Sequence, residues 1–347
     1  AQYDRTAPSQ VNKTGADLLN EHVKNKTSVD DALKMATWIF VVVHQRLNFK
    51  YLSLLQLAAA ARNVFEKETH LVESGLPATI FGDIHGQVGD AVRLINLATY
   101  DPANPKSRVL DLNKRHFVFC GDYVDRGNRQ VETLVLLFSL KIAYPNNVHI
   151  LRGNHETRDV NSRYGFLAEL RDRYGEDGRN LYDVFNEVFD HLPLACHIGA
   201  IIPKPLPNIH VSPLAVDLLW ADPMNGLSGT KVNEGRGISI HFGEDALEEF
   251  LKLLGLIVMF RGHQVPGNGF AWFGLKKYLC TFFSATGASK GNFVAAMHLD
   301  EKCEMTVLIM FKGVLFPDFT ATSFHRILHT INNEKDDVYA EFKEDDQ

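Results

Sequence analysis

The sequence predicts a layered α/β fold in which sheets pack against one another, and three features of its patterning carry that expectation. Residues 15–75 hold runs such as "ADLLNEHV" and "DDALKMATWIFVVVHQRL", where apolar side chains return every three to four positions, so this part reads as a helical lead-in. From residue 77 short apolar runs alternate with helical ones. "ATIF" (78–81), "HFVFC" (116–120) and "NVHILRG" (147–153) read as strands, while "VETLVLLFSLKIAY" (131–144) and "NLYDVFNEVFDHL" (180–192) read as helices. The third feature is a close succession of strand-like runs, "GLIVMFRGH" (255–263), "YLCTFFSA" (278–285), "FVAAMHLD" (293–300) and "MTVLIMF" (305–311). Early β–α alternation followed by closely spaced strands is the signature of stacked layers.

With 347 residues, 45% hydrophobic and 22% charged, the chain has ample material for one large domain or two smaller ones. Its formal net charge of −6 argues against nucleic acid as a partner and suits cation binding. The longest early apolar run, "WIFVVV" at 38–43, is far too short to span a bilayer, so no membrane partner is expected. Cys120, Cys196, Cys280 and Cys303 form no C-x-x-C pair, which speaks against a zinc ribbon or a disulfide framework. With no apolar signal core in "AQYDRTAPSQVNKTGADLL", a reducing compartment is expected, cytoplasmic or nuclear or both.

The chemistry lies in the short segments at the strand ends. "GDIHGQ" (82–87), "GDYVDRGN" (121–128), "RGNHETRD" (152–159) and "RGHQ" (261–264) each place Asp, Asn or His beside a glycine at a strand end. Loops at the carboxyl ends of strands are where layered α/β folds assemble sites. Asp83, His85, Asp122, Asn154 and His263 thus form an oxygen-and-nitrogen donor set without thiolate, suited to Mn²⁺, Fe or Zn²⁺. Five donors exceed the usual three of one catalytic metal, and a carboxylate such as Asp122 can bridge two ions. Arg126, and Arg236 in "NEGRGISI", offer planar forks for phosphate oxygens. His155 is placed to protonate a leaving oxygen, with Asp125 to orient the imidazole and raise its pKa.

On these motifs the sequence resembles the metal-dependent phosphoprotein phosphatases, the serine/threonine protein phosphatases, and within them the type-1 catalytic subunits. "GDIHGQ", "GDYVDRG" and "RGNHE" stand unaltered, and "DLLWADP" (217–223), "GRGISIHFG" and "RGHQ" follow in the family's order. The resemblance implies a metallophosphoesterase-like α/β fold, a central β-sandwich of mixed sheets flanked by helices. It also implies hydrolysis of phosphoserine and phosphothreonine by a metal-activated hydroxide at a two-metal centre, without a phosphoenzyme. By motif match Asp83, His85 and Asp122 hold one metal and Asp122, Asn154 and His263 part of the other; two divalent ions are expected, Mn²⁺ first, with Fe or Zn²⁺ as alternatives. Arg126, Asn154 and Arg236 bind phosphate, and His155 with Asp125 supplies the proton. The partners implied are phosphoprotein substrates and regulatory protein subunits. The organisation expected is a helical lead-in (1–50), a metallophosphatase catalytic domain (51–325) and an acidic, flexible tail (326–347).

The match has gaps. The family's "HGG"-type stretch, whose histidine completes the second metal's shell, is absent near Ala200 to Ile202, leaving His210 and His197 as conceivable substitutes. That loss keeps open a second reading, a weak or inactive pseudophosphatase serving as a protein-binding platform. "FSATGASKGNF" (283–293) replaces an aromatic-bearing loop of the family, and "YDPANPKSRVLDLNK" (100–114) reads as an inserted surface loop. Near the expected peptide-docking edge, "KCEMTVLIMF" (302–311), Glu304 is an unusual guest for an apolar groove, so standard type-1 docking peptides are expected to bind poorly. The C-x5-R spacing of Cys120 and Arg126 is shared with cysteine-dependent phosphatases. Asp122 and Asp125 would put negative charge into such a cradle, which argues against that chemistry.

Overall fold

A computed structural model describes residues 14–22, 26–42, 45–99, 112, 115–198, 213–285 and 293–310. The described residues begin with three helices, α1 (Gly15–His22), α2 (Val29–Val41) and α3 (Tyr51–Phe65). Helix α2 starts where the Ser28 hydroxyl accepts the Asp31 N–H, with Asp30 and Asp31 in the first turn, a cap that also complements the helix dipole. Then come β1 (Leu71–Ser74), β2 (Ala78–Phe81), α4 (Val88–Thr99), β3 (His116–Phe119), α5 (Gln130–Ala143) and β4 (Val148–Ile150). Helices α6 (Arg158–Asn161), α7 (Phe166–Tyr174) and α8 (Asp177–Phe189) precede β5 (Ala195–Ile198), and α9 (Pro213–Trp220) precedes β6 (Asp222–Pro223), β7 (Thr230–Val232) and β8 (Ile240–Phe242). The last stretch holds α10 (Glu244–Leu254), β9 (Met259–Arg261), β10 (Phe270–Phe273), β11 (Leu279–Phe282), β12 (Val294–Leu299) and β13 (Met305–Met310).

Five strands form a mixed sheet in the order β13-β12-β2-β3-β4; β2, β3 and β4 run parallel, and β12 pairs antiparallel with both β2 and β13. A second mixed sheet has the order β10-β11-β9. Alternation along the strands explains why the two stack. Ile80 and Val118 face a core shared with Trp272 and Phe282 of the second sheet. Phe81, Phe117 and Phe119 point the other way, into the helices. The result is the expected sandwich of mixed sheets flanked by helices, with α10 covering the other outer face through Leu247 and Leu251 against Phe273 and Leu279.

Helix α5 has no polar stripe because it has no wet side: all of its residues from Gln130 to Ile142 are buried, between α2 and α3 on one flank and β4 on the other. Its one lysine, Lys141, is satisfied by donating to Glu68 and to the carbonyls of Pro145 and Val148, as a buried ammonium must be.

The helical lead-in ends sooner than its pattern indicates. Leu71–Ser74 is a strand, paired in parallel with Ala195–Ile198. A four-residue strand whose partner lies far along the chain leaves too little periodicity to read. The same brevity hid β5, β6, β7 and β10.

Two histidines in the sheet yield a stability prediction. His149 on β4 is 3% exposed and stacks on His116 of β3 with centroids 6.0 Å apart; burial, helped by the Lys141 charge, lowers its pKa from 6.5 to about 3. Below pH 6.5 the unfolded chain therefore takes up a proton that the folded chain refuses, so stability falls as pH drops from 6.5 toward 3. Between pH 7 and 5 His149 alone is expected to cost about 2 kcal/mol. Urea midpoints at the two pH values, with His149→Phe flattening the slope, check this.

Candidate metal centre

Strands β2, β3 and β4 lie side by side and parallel, so the segments leaving their carboxyl ends, Gly82–Asp83, Gly121–Asp122 and Gly153–His155, emerge together. His263 follows β9 in the other sheet, and an Asp83–Phe283 bridge ties the two sheet ends there. The backbone is bent to make this convergence. His85, Asp122, Asp125, Arg126 and His263 all have φ between +45° and +75°, a region that costs an L-residue about 1–3 kcal/mol and concentrates at functional sites. Two glycines have no alternative: a Cβ on Gly153 would sit 2.2 Å from Asp122 Oδ1, and one on Gly262 2.2 Å from Asp83 Oδ1.

Seven of the residues expected at the site meet here. The His263 N–H donates to Asp83 Oδ1 at 2.8 Å, and the His155 N–H to Asp122 Oδ1 at 3.1 Å. His85 Nε2 is 3.8 Å from Asp83 Oδ2, and the rings of His85 and His155 lie 4.7 Å apart. One donor atom from each of His85, Asp122 and His155 lies within 4.8 Å of the others. His155 Nδ1 is 2.7 Å from Asp125 Oδ2, and Asp125 Oδ1 accepts the Phe166 N–H.

The donors fit divalent cations. His85 Nδ1 donates to the Val124 carbonyl at 2.8 Å, which fixes the tautomer and turns an Nε2 lone pair inward. That Nε2 is buried without a hydrogen-bond partner, as is His263 Nε2. The Asn154 amide oxygen accepts from His263 Nδ1 at 2.7 Å, the tautomer that leaves Nε2 its lone pair, and lies 3.2 Å from both Asp122 oxygens, acceptor against acceptor, a crowding that a cation or a half-turn of the amide relieves. Burial and the neighbouring Asp122 push the Asp83 carboxyl well above its ordinary range. Against its own burial, Asp122 is held low by His155, His85 and His263. Buried unpaired lone pairs beside two crowded carboxylates make a pocket that positive charge completes.

His155 is set apart from the other imidazoles. Burial lowers its pKa, but the Asp125 hydrogen bond and the charges of Asp122, Asp125 and Glu156 overcome that and raise it. His85, by contrast, is driven to about 3, chiefly by burial. One ring is built to carry a proton and the other to offer a lone pair.

The arginines differ. Arg126 is exposed, its N–H donating to the Tyr164 carbonyl. Arg236 is bound to Asp222 through Nε at 2.8 Å, and Asp222 lies 3.8 Å from His263 Nε2. His197 sits on β5 opposite Glu73 and belongs to no cluster of metal-type donors among the described residues. His210, the shortened segment near 200–202, positions 286–292 and residues 326–347 lie outside the described residues, as does most of the loop 100–114. Glu304 is exposed just before β13. The cysteine alternative has no chemical support, because burial and Asp83 push the Cys120 thiol up to about 12.

Three residues of the centre escaped the sequence reading although each stands inside one of the strand-end or family motifs. Glu156 of "RGNHE" accepts the N–H groups of Asp122, Tyr123 and Gly153 at 2.7–3.0 Å, clamping two of the loops together. Asp222 of "DLLWADP" aligns Arg236 and contacts Arg261. Arg261 of "RGHQ" places a half-buried guanidinium whose charge bears on Asp83. The acidic residue directly after the Asn-His pair was the signal available for Glu156.

Residues 76–267 match the calcineurin-like phosphoesterase family, and the chain belongs to that family. It is 35% identical over 275 residues to the serine/threonine-protein phosphatase PP1-delta of Caenorhabditis elegans, a match covering 73% of this chain and 85% of that protein. Among solved structures it is similar to a protein serine/threonine phosphatase of Saccharomyces cerevisiae described as similar to human phosphatase PP5. That similarity has a TM-score of 0.63 and 28% identity, covering 78% of this chain and 92% of the other.

Proposed function

We propose that this chain is a metal-dependent protein serine/threonine phosphatase acting on phosphoserine and phosphothreonine. The observation that carries the reading is the convergence of Asp83, His85, Asp122, Asn154 and His263 around unpaired lone pairs, with the Asp125–His155 pair at the edge of the same pocket. Asp83, His85 and Asp122 would hold one divalent ion, and Asp122, Asn154 and His263 part of a second. Ions held there supply Lewis acidity and bring the pKa of water toward neutrality. Mn²⁺ is the first choice, with Fe or Zn²⁺ suited to the same donors.

The chain's own groups do the rest. Arg126 at the rim and Arg236, aligned by Asp222, grip phosphate oxygens together with the Asn154 amide. Asp125 holds Nδ1 of His155, so the other ring nitrogen presents its proton to the departing serine or threonine oxygen. Regulatory protein subunits are supported by the likeness to PP1-delta, and a cytoplasmic or nuclear setting by four free cysteines. The core of α2 is continuous with that of α5, so the lead-in packs as part of the catalytic unit.

Phosphate release from a phosphoserine peptide tests the reading. Chelation is expected to remove more than about 90% of it and Mn²⁺ to restore it, while thiol alkylation has no effect. Alkylation sensitivity without chelator sensitivity would contradict the metal mechanism, and metal retention without release would favour the binding-platform reading.

A further inference from the structure

Asp125 and Arg126 are consecutive L-residues with φ of +72° and +65°, so the turn that carries the proton-donating pair is strained and must be held from outside. The holder is Gln130, the first residue of α5, 1% exposed. Its Oε1 accepts the Asp125 N–H at 2.6 Å, and its Nε2 donates to the Gly127 carbonyl at 3.0 Å. Both partners are backbone groups of fixed polarity, so only an amide satisfies the pair. A Cβ on Gly86 would lie 2.9 Å from Gln130 Cγ, so the same side chain also packs on the loop after His85.

Gln130 is itself anchored. Its N–H donates to Glu169 Oε2 at 3.0 Å, and Glu169 Oε1 accepts from Val131 and from Arg173, capping the first turn of α5. Arg173 bonds in addition to Glu132 and to the Leu47 carbonyl. A continuous series of buried bonds thus runs from the lead-in segment through Arg173, Glu169 and Gln130 to Asp125 and His155.

We propose that Gln130 is a positioning residue for general acid catalysis, fixing the Asp125 peptide so that its carboxylate meets His155 at the productive angle. The inference rests on the function proposed above. It has a consequence that a merely structural role lacks. A nitrophenolate leaves without being protonated, whereas a serine alkoxide does not, so misorienting the pair must slow the peptide substrate selectively.

The experiment compares kcat and KM for a phosphoserine peptide and for p-nitrophenyl phosphate in the Mn²⁺-loaded wild type, Gln130→Met, Gln130→Ala and His155→Ala. Both Gln130 variants are expected to lose kcat on the peptide by about 10-fold or more, with KM within about 2-fold and the aryl phosphate within about 3-fold. Methionine keeps the packing and removes both hydrogen bonds; alanine gives the same reading should methionine disturb folding. Equal losses on the two substrates, or a methionine variant that behaves as wild type, overturn the positioning role. If the wild type and His155→Ala behave as expected while the Gln130 variants show no substrate-dependent loss, this inference fails alone. A wild type that releases no phosphate from the peptide overturns the function and the inference with it.

Discussion

His155→Ala is expected to lower hydrolysis of a phosphoserine peptide by about 10²–10⁴-fold, the range that a positioned general acid contributes. The aryl phosphate, whose leaving group departs as an anion, is expected to fall far less. The geometry gives the reason. Nδ1 of the ring is taken by Asp125 at 2.7 Å, so only the other nitrogen faces the pocket, and the net push on its pKa is upward in spite of burial. The fold should survive the change, because the main-chain link of this residue to Asp122 runs through the backbone N–H and remains. Full activity on the peptide in His155→Ala would show that the proton comes from elsewhere.

Asp122→Asn is expected to remove both metal and hydrolysis, with activity down by about 10³-fold or more, since this carboxylate would serve both ions. The variant chain should still fold. The asparagine oxygen can still accept the His155 N–H, and the buried repulsion that pushes Asp83 upward is relieved. In the absence of metal the variant is therefore expected to melt no lower than the wild type, which separates loss of function from loss of structure.

Much of this was legible in the sequence. The runs at 78–81, 116–120, 147–153, 255–263, 278–285 and 293–300 announced themselves as short apolar or β-branched stretches, and each holds an observed strand. The donors Asp83, His85, Asp122, Asn154 and His263 could be named since each follows such a run. Their geometry could not be read. Left-handed backbone at five non-glycine positions leaves no mark in composition, because it depends on tertiary contacts rather than on local propensity.

The supporting residues were hidden for a different reason. Glu156 and Asp222 carry no role in the sequence pattern until the fold buries them against backbone N–H groups and arginines. Gln130 lies just past the motif "GDYVDRGN", at the start of a helix whose buried length concealed where it begins. The short strands β1 and β5 needed their distant pairing to exist at all.

The most direct test is the amount of metal bound per chain, measured by elemental analysis after equilibrium dialysis against Mn²⁺, wild type beside Asp122→Asn. About two ions per wild-type chain are expected, and fewer than one in the variant. A folded wild-type chain that retains no ion at saturating Mn²⁺ would contradict the gathering of these side chains into a metal centre.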